Sequence, residues 1–133
     1  MILTSLTRFR EFGLLFLRVA LGAFFIYVHG WPKLAGGLAG WEKLGHSMQV
    51  LHIHFAPAFW GFLAAFSESI GAALLLLGFL FRPACILLVI TMTVASLTQI
   101  KHGLAEASHP IELAILFFAL IFIGPGKYSI DKS

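Results

Sequence analysis

The sequence predicts an all-α integral membrane protein: a four-helix up-and-down bundle with an additional interfacial amphipathic helix in the first outer loop. Three observations lead there. The chain of 133 residues is 59% hydrophobic and only 11% charged, with a mean hydropathy of +0.94, whereas soluble domains carry about 25% charged residues. Four apolar stretches, at about 12–30, 57–80, 83–101 and 110–124, have lengths suited to a hydrocarbon core about 30 Å thick, which needs roughly 20 residues per helix. The stretches are continuous runs of Leu, Ala and Phe rather than alternating ten-residue segments, which excludes a transmembrane barrel. The whole chain, 1–133, reads as a single domain.

The first stretch follows Arg8 and Arg10 and could pass for a secretory signal. It continues into Val28-His29-Gly30-Trp31-Pro32 without a small-residue cleavage pattern, so it reads as a retained helix. The segment from 31 to 56 is too apolar for disorder. Leu38, Trp41, Leu44, Met48, Leu51 and Phe55 recur at steps of three and four, while Glu42, Lys43, His46 and Gln49 take the other side. That pattern predicts an amphipathic helix at about 38–52, either a lid over the bundle or a surface anchor. Gly36, Gly37 and Gly40 let the chain turn into it. The second stretch carries Gly61, Ala64, Glu68, Gly71 and Gly78 on one stripe, and small residues mark close helix contact in membranes. Phe81-Arg82-Pro83 is a tight turn into the third stretch. The fourth ends at Gly124-Pro125-Gly126, which stops a helix, with Lys127 and Tyr128 suited to a membrane interface.

Lys and Arg in the connections set the orientation. With four spans, Arg8, Arg10, Arg82, Lys127 and Lys132 share one side and Lys33, Lys43 and Lys101 the other, which predicts both termini in the cytoplasm of a multi-pass inner-membrane protein. The pI near 9.4 reflects this bias. No basic helix interleaved with aromatics accompanies it, so nucleic acid is not an expected partner. The single cysteine, Cys85, excludes an intramolecular disulfide and a CxxC relay.

This topology collects all six histidines and all three tryptophans at the outer ends of helices or in outer loops. His52-x-His54 and Glu106…His109 resemble parts of metal sites, but no complete ligand set has a recognised spacing, so no metal is expected. The tryptophans suit an interfacial belt.

Charges inside the spans carry the functional question. An ionisable side chain at the bilayer centre costs about 2.5–3.5 kcal/mol on insertion scales, so it needs a partner or a purpose. Arg18, Gly22, Phe25 and His29 share a stripe of the first helix. Arg18 lies 11 residues before His29 and Glu68 lies 11 after Pro57, so each is expected about 16 Å below the outer end. A buried Arg18–Glu68 pair follows. Thr91, Thr98 and His102 share a stripe of the third helix, and Glu112 enters on the fourth below the outer boundary, near His102 and His109. Two readings of this polar interior stay open: a structural ion pair fixing helix register, or a cavity for a small polar or amphipathic ligand. On the second reading Glu68 and Glu112 are the catalytic candidates for moving a proton.

The motifs LRVALG, HGWPKL, FSESIGAALLLLGFLFRPA and IELAILFFALIFIGPGKYSID, in that order between Leu14 and Asp131, resemble the DoxX family of small four-helix membrane proteins. That family is related to the DoxD-type subunit of thiosulfate:quinone oxidoreductase. The resemblance places Arg18, His29, Gly30, Lys33, Glu68, Gly71, Gly78, Glu112, Gly124, Pro125, Gly126, Tyr128 and Asp131 on the family's signature positions. ESIGA has Ala72 where a second glycine is frequent, which widens the closest helix contact slightly.

The resemblance implies an inner-membrane subunit of a quinone-linked redox system, in sulfur oxidation or redox defence. Quinone is the one cofactor implied, and a soluble or membrane redox protein or a second copy of the chain the implied partner besides the bilayer. Arg18, His29, Lys33, Thr91, Thr98 and His102 are the expected binding set. No haem motif, dithiol or Rossmann fingerprint is present to carry electrons within the chain. The alternative class is a non-enzymatic protein, a small-solute or proton transporter or a scaffold, because an interior Arg/Glu/His set can equally line a path.

Overall fold

The structure, a computed structural model, describes residues 2–131. Helices account for the ordered elements, with no strand among the described residues. Helix α1 (Arg10–Phe25) is preceded by a 3-10 segment, Thr4–Phe9, and continues through a π-helical turn, Ile26–Gly30, into the short α2 (Trp31–Ala35). Together these form one span of 32 residues, Thr4–Ala35, about 48 Å long at 1.5 Å per residue. It outruns a hydrocarbon core of about 30 Å and projects at its ends. The sequence reading closed this helix at residue 30. Pro32 looks like a terminator, yet it stands in the first turn after the π segment, where a missing N–H is tolerated.

Beyond Gly36 the chain folds back. Helix α3 (Gly37–Gly45) and a 3-10 segment, His46–Leu51, lie across the end of the bundle. Helix α4 (Pro57–Leu77) opens with Pro57 at its N-terminus. It closes on Gly78 at φ 69, where Gly78 N–H donates to Leu75 O and Phe79 N–H to Leu74 O, the paired bonds of a Schellman cap. Helix α5 (Phe81–Gln99) and, after Gly103 at φ 110, helix α6 (Leu104–Ile123) complete the bundle. Pro110 lies within α6, which starts six residues before it.

Helix α4 is the hub, packed against α1, α3 and α5. Its buried face, Gly61, Ala65, Glu68, Gly71, Ala72 and Leu75 among others, is the small-residue stripe. A Cβ on Gly22 of α1 would come within 3.0 Å of the Ala72 carbonyl oxygen, and one on Gly61 would overlap the Trp41 carbonyl of α3. Both glycines therefore let a neighbouring backbone approach. Helix α6 packs on α5 and reaches α1 through side chains, Phe25 edge-on to Phe117 at 5.9 Å and His29 stacked on His109 at 5.4 Å. The apolar core gathers Phe25, Leu75, Phe81, Leu88, Phe117 and Leu120 around the fully buried Cys85. Large apolar side chains such as Phe16, Phe24, Ile90, Ile115 and Phe122 face outward, as lipid contact requires.

Candidate functional site

A cavity of about 270 Å³ lies between α4 and α5 at the end of the bundle covered by α3. Leu44, Gly45 and Met48 of the covering segment roof it, so that segment is a lid over this space. Trp60 and Ala64 of α4 and Val94 and Ala95 of α5 supply apolar wall. Leu63, Leu87 and Ile90 also line it and are 40%, 39% and 56% exposed. These three stand on the lipid-facing surface, so the cavity reaches that surface between α4 and α5.

Its polar part is concentrated in Lys33, Ser67, Glu68 and Thr91. Glu68 is 1% exposed. Lys33 Nζ approaches Glu68 Oε2 to 2.6 Å, the only ion pair among the described residues. Lys33 keeps 34% of its side-chain surface exposed against 2% for Glu68, so the pair spans from a wet rim to a dry wall. Gly30 makes this approach feasible. A Cβ there would come within 2.9 Å of Ser69 Cα, so only bare backbone lets the π turn settle on α4 and bring Lys33, one turn on, over Glu68.

The expected Arg18–Glu68 pair does not form. Arg18 is buried, but its guanidinium serves the opposite end of the bundle. Nε and Nη2 donate to Leu75 O at 3.2 Å and Leu76 O at 2.9 Å, and Nη1 donates to Pro125 O at 3.1 Å and Tyr128 O at 2.8 Å. Leu75 and Leu76 lie in the last turn of α4, where carbonyls lack the i+4 partner of the helix interior and the helix dipole favours a cation; Leu75 O accepts from Arg18 in addition to the Gly78 N–H of the cap. They are seven and eight residues beyond Glu68, about 10–12 Å along the axis. His29 is not the helix end from which the depth of Arg18 is to be counted. The helix runs on to Ala35, and the contact of Gly30 with Ser69 sets Lys33 opposite Glu68.

Arg18 thereby organises the C-terminal segment. Asp131 accepts from Leu80 N–H at 3.0 Å and Phe81 N–H at 2.8 Å, capping α5; Asp131 N–H donates to Gly78 O; Lys127 N–H donates to Glu11 at 2.7 Å. Gly78 leaves room for this packing, since a Cβ there would overlap Ser129. The tail is pinned by backbone-directed polar bonds as well as by interfacial preference.

Of the eight residues singled out from sequence, Lys33, Glu68 and Thr91 meet at the cavity. The Thr91 hydroxyl donates to Leu87 O. His29 packs between Phe25 and His109 at the α1–α6 contact. The Thr98 hydroxyl donates to Val94 O, and His102 is exposed beyond α5. Glu112 is exposed on α6 and does not line the cavity. Sequence reasoning left out Met48, Trp60 and Ser67. Trp60 was legible: it stands eight residues, two i+4 steps, before Glu68 on the same stripe. Reading it as interfacial belt hid that, although its indole N–H is buried without a partner. No group of three or more His, Cys, Asp or Glu able to hold a metal occurs among the described residues.

A family model described as DoxX matches residues 13–100. The match takes in Arg18, Lys33, Glu68 and Thr91 and stops before α6. No curated protein and no solved structure matches the chain.

Proposed function

The chain belongs to the DoxX family, a multi-pass membrane protein with four spans, and on that premise we propose that its cavity receives a quinone headgroup as part of a membrane redox complex. The observation that carries this reading is the combination of a lipid-facing opening with a single ion pair on the wall. A substrate dissolved in the bilayer reaches such a space sideways between α4 and α5, past Leu63, Leu87 and Ile90. Its ring packs against Met48 and Trp60, and a carbonyl oxygen accepts from the Lys33 ammonium, which retains donors beyond the one facing Glu68. A solute travelling from water to water has no use for a side opening to lipid, which sets the transport and scaffold reading second.

Reduction of a quinone to a quinol takes two electrons and two protons. The chain's part is binding and proton handling: the Glu68 carboxylate, reached from solvent along the wet rim at Lys33, would take up and pass on the two protons in turn, and Lys33 would balance its charge between transfers. The electrons come from a redox partner protein that docks on the bundle. Glu112, exposed on α6, stands apart from this chemistry, so the proton role rests on Glu68. The positive-inside rule, with Arg8, Arg10, Arg82, Lys127 and Lys132 on one side against Lys33, Lys43 and Lys101 on the other, supports both termini in the cytoplasm and the α3 lid on the outer face of the inner membrane.

The test is a titration of the protein in phosphatidylcholine nanodiscs with short-chain ubiquinone and menaquinone analogues, read by tryptophan fluorescence. Saturable quenching that Trp60→Phe reduces and Glu68→Gln weakens is expected. No saturable quenching, with no quinone extracted from the purified protein, overturns the reading in favour of transport or scaffolding.

A further inference from the structure

Lys33 lines a second space. On the outward side of the lid a pocket of about 400 Å³ is bounded by Pro32, Lys33, Gly36, Gly40, Lys43 and Leu44. Lys33 and Leu44 are walls of this pocket and of the cavity alike. Lys33 therefore borders both spaces, with its ammonium on Glu68 on the cavity side. Lys43, exposed, has no ion-pair partner among the described residues. Gly36 and Gly40 present bare backbone, and a Cβ at Gly40 would meet nothing within 4 Å, so the space above it is open. No acidic side chain lines the pocket; Glu42, the residue before Lys43 on α3, is exposed. With Lys43 unpaired among the described residues and Lys33 held only from the cavity side by Glu68, a space at the end of a membrane span lined by two lysines and no carboxylate favours a compact anion.

We propose that this pocket binds a phosphate group, free or as the headgroup of a lipid, between Lys33 and Lys43, in competition with Glu68 for the Lys33 ammonium. Phosphate suits the site because its oxygens accept from two ammonium groups at once. The pocket sits at the end of the first span, beside the exposed Trp31, the level at which lipid phosphates lie. Because Lys33 borders both spaces, an anion outside that draws its ammonium away loosens the hold on Glu68 inside. Anion binding and the cavity carboxylate are thus coupled through a single side chain. The site would set the charge environment of the quinone cavity proposed above, but its existence does not depend on quinone, and its test contains none.

The protein in phosphatidylcholine nanodiscs is titrated calorimetrically with inorganic phosphate. In parallel, mixed phosphatidylcholine–phosphatidylglycerol nanodiscs are analysed by native mass spectrometry for retained phosphatidylglycerol. Lys43→Gln weakens binding about tenfold, as expected for one hydrogen bond to a charged group. Gly40→Leu, which suits a helix and fills the pocket, abolishes it. Glu68→Gln tightens it severalfold by freeing Lys33. Lys127→Gln, at the other end of the bundle, changes nothing. Phosphate binding with this pattern identifies a free anion; retention of phosphatidylglycerol alone with this pattern identifies a headgroup. Binding in neither arm, or binding indifferent to both Lys43→Gln and Gly40→Leu, overturns the proposal, and loss of affinity in Glu68→Gln overturns the competition.

Discussion

Replacing Lys33 by Met removes the one charge that faces the buried Glu68 carboxylate and leaves the aliphatic length of the side chain in place. Breaking a fully buried ion pair by removing one partner costs about 3–5 kcal/mol. Lys33 is 34% exposed and Glu68 only 2%, so part of the Coulomb term is screened and about 2 kcal/mol is the expected loss. Glu68→Gln alone should cost less, because the amide needs no counter-charge. The pair's own coupling is then about 1.5 kcal/mol, within the range of 0.5–3 found for contacting residues. The assay is a double-mutant cycle on unfolding free energy in mixed dodecylmaltoside–SDS micelles, followed by far-ultraviolet circular dichroism. A second cycle joins Arg18→Gln with Glu68→Gln. These sites are about 10 Å or more apart along the bundle, and their effects should add to within about 0.5 kcal/mol. Coupling in the second cycle with additivity in the first would refute the assignment of Lys33 as the partner of Glu68.

Gly61→Ala drives a methyl into the Trp41 carbonyl; it should cost about 1–3 kcal/mol and raise amide exchange across residues 37–51, where an unchanged exchange pattern would contradict the docked lid. Arg18→Gln removes the guanidinium that donates to four carbonyls; at about 1.5–3 kcal/mol for each charged hydrogen bond, losing even two that the amide cannot replace costs about 3 kcal/mol or more, and trypsin should then cut at Lys127, which stays protected in the parent protein. Asp131→Asn weakens the cap on α5 and should cost about 1 kcal/mol, a smaller loss than Arg18→Gln in the same unfolding assay. Cys85, fully buried in the core, should resist maleimide in the folded protein and react only on unfolding; rapid labelling of the native state would contradict the packing.

Much of the architecture was legible because membrane insertion writes itself into composition. Each span must satisfy its backbone internally and present apolar side chains to lipid, and both demands appear as hydropathy. Glu68 was legible as an interior acid because Gly61, Ala64 and Gly71 beside it mark helix contact. Its partner was not. The π turn at Ile26–Gly30 and the extension to Ala35 leave no signature beyond Pro32, which reads as a stop, and a shift of a few residues along one helix exchanges one cation for another. Arg18 illustrates a different limit. Its acceptors are main-chain carbonyls of α4 and the tail, and every residue has a carbonyl, so no side-chain pattern announces them. The lid was legible as an amphipathic helix, while its choice between anchor and lid depended on Gly45 and Gly61, whose missing side chains let α3 rest on α4. Glu112 is a candidate in sequence because it is near His102 and His109 in depth; the rotation of α6 turns it outward.

The central claim is that a bilayer-dissolved ring enters between α4 and α5 and stops against Glu68 and Lys33. Photolabelling with an azidoquinone in native membranes, followed by peptide mapping, tests it most directly. Labels on Met48, Trp60, Leu63 or Thr91, competed by excess quinone and lost with a Leu63→Trp plug at the opening, are the expected result. Labels scattered over the lipid-facing residues of α1 and α6, unaffected by competitor, would contradict it.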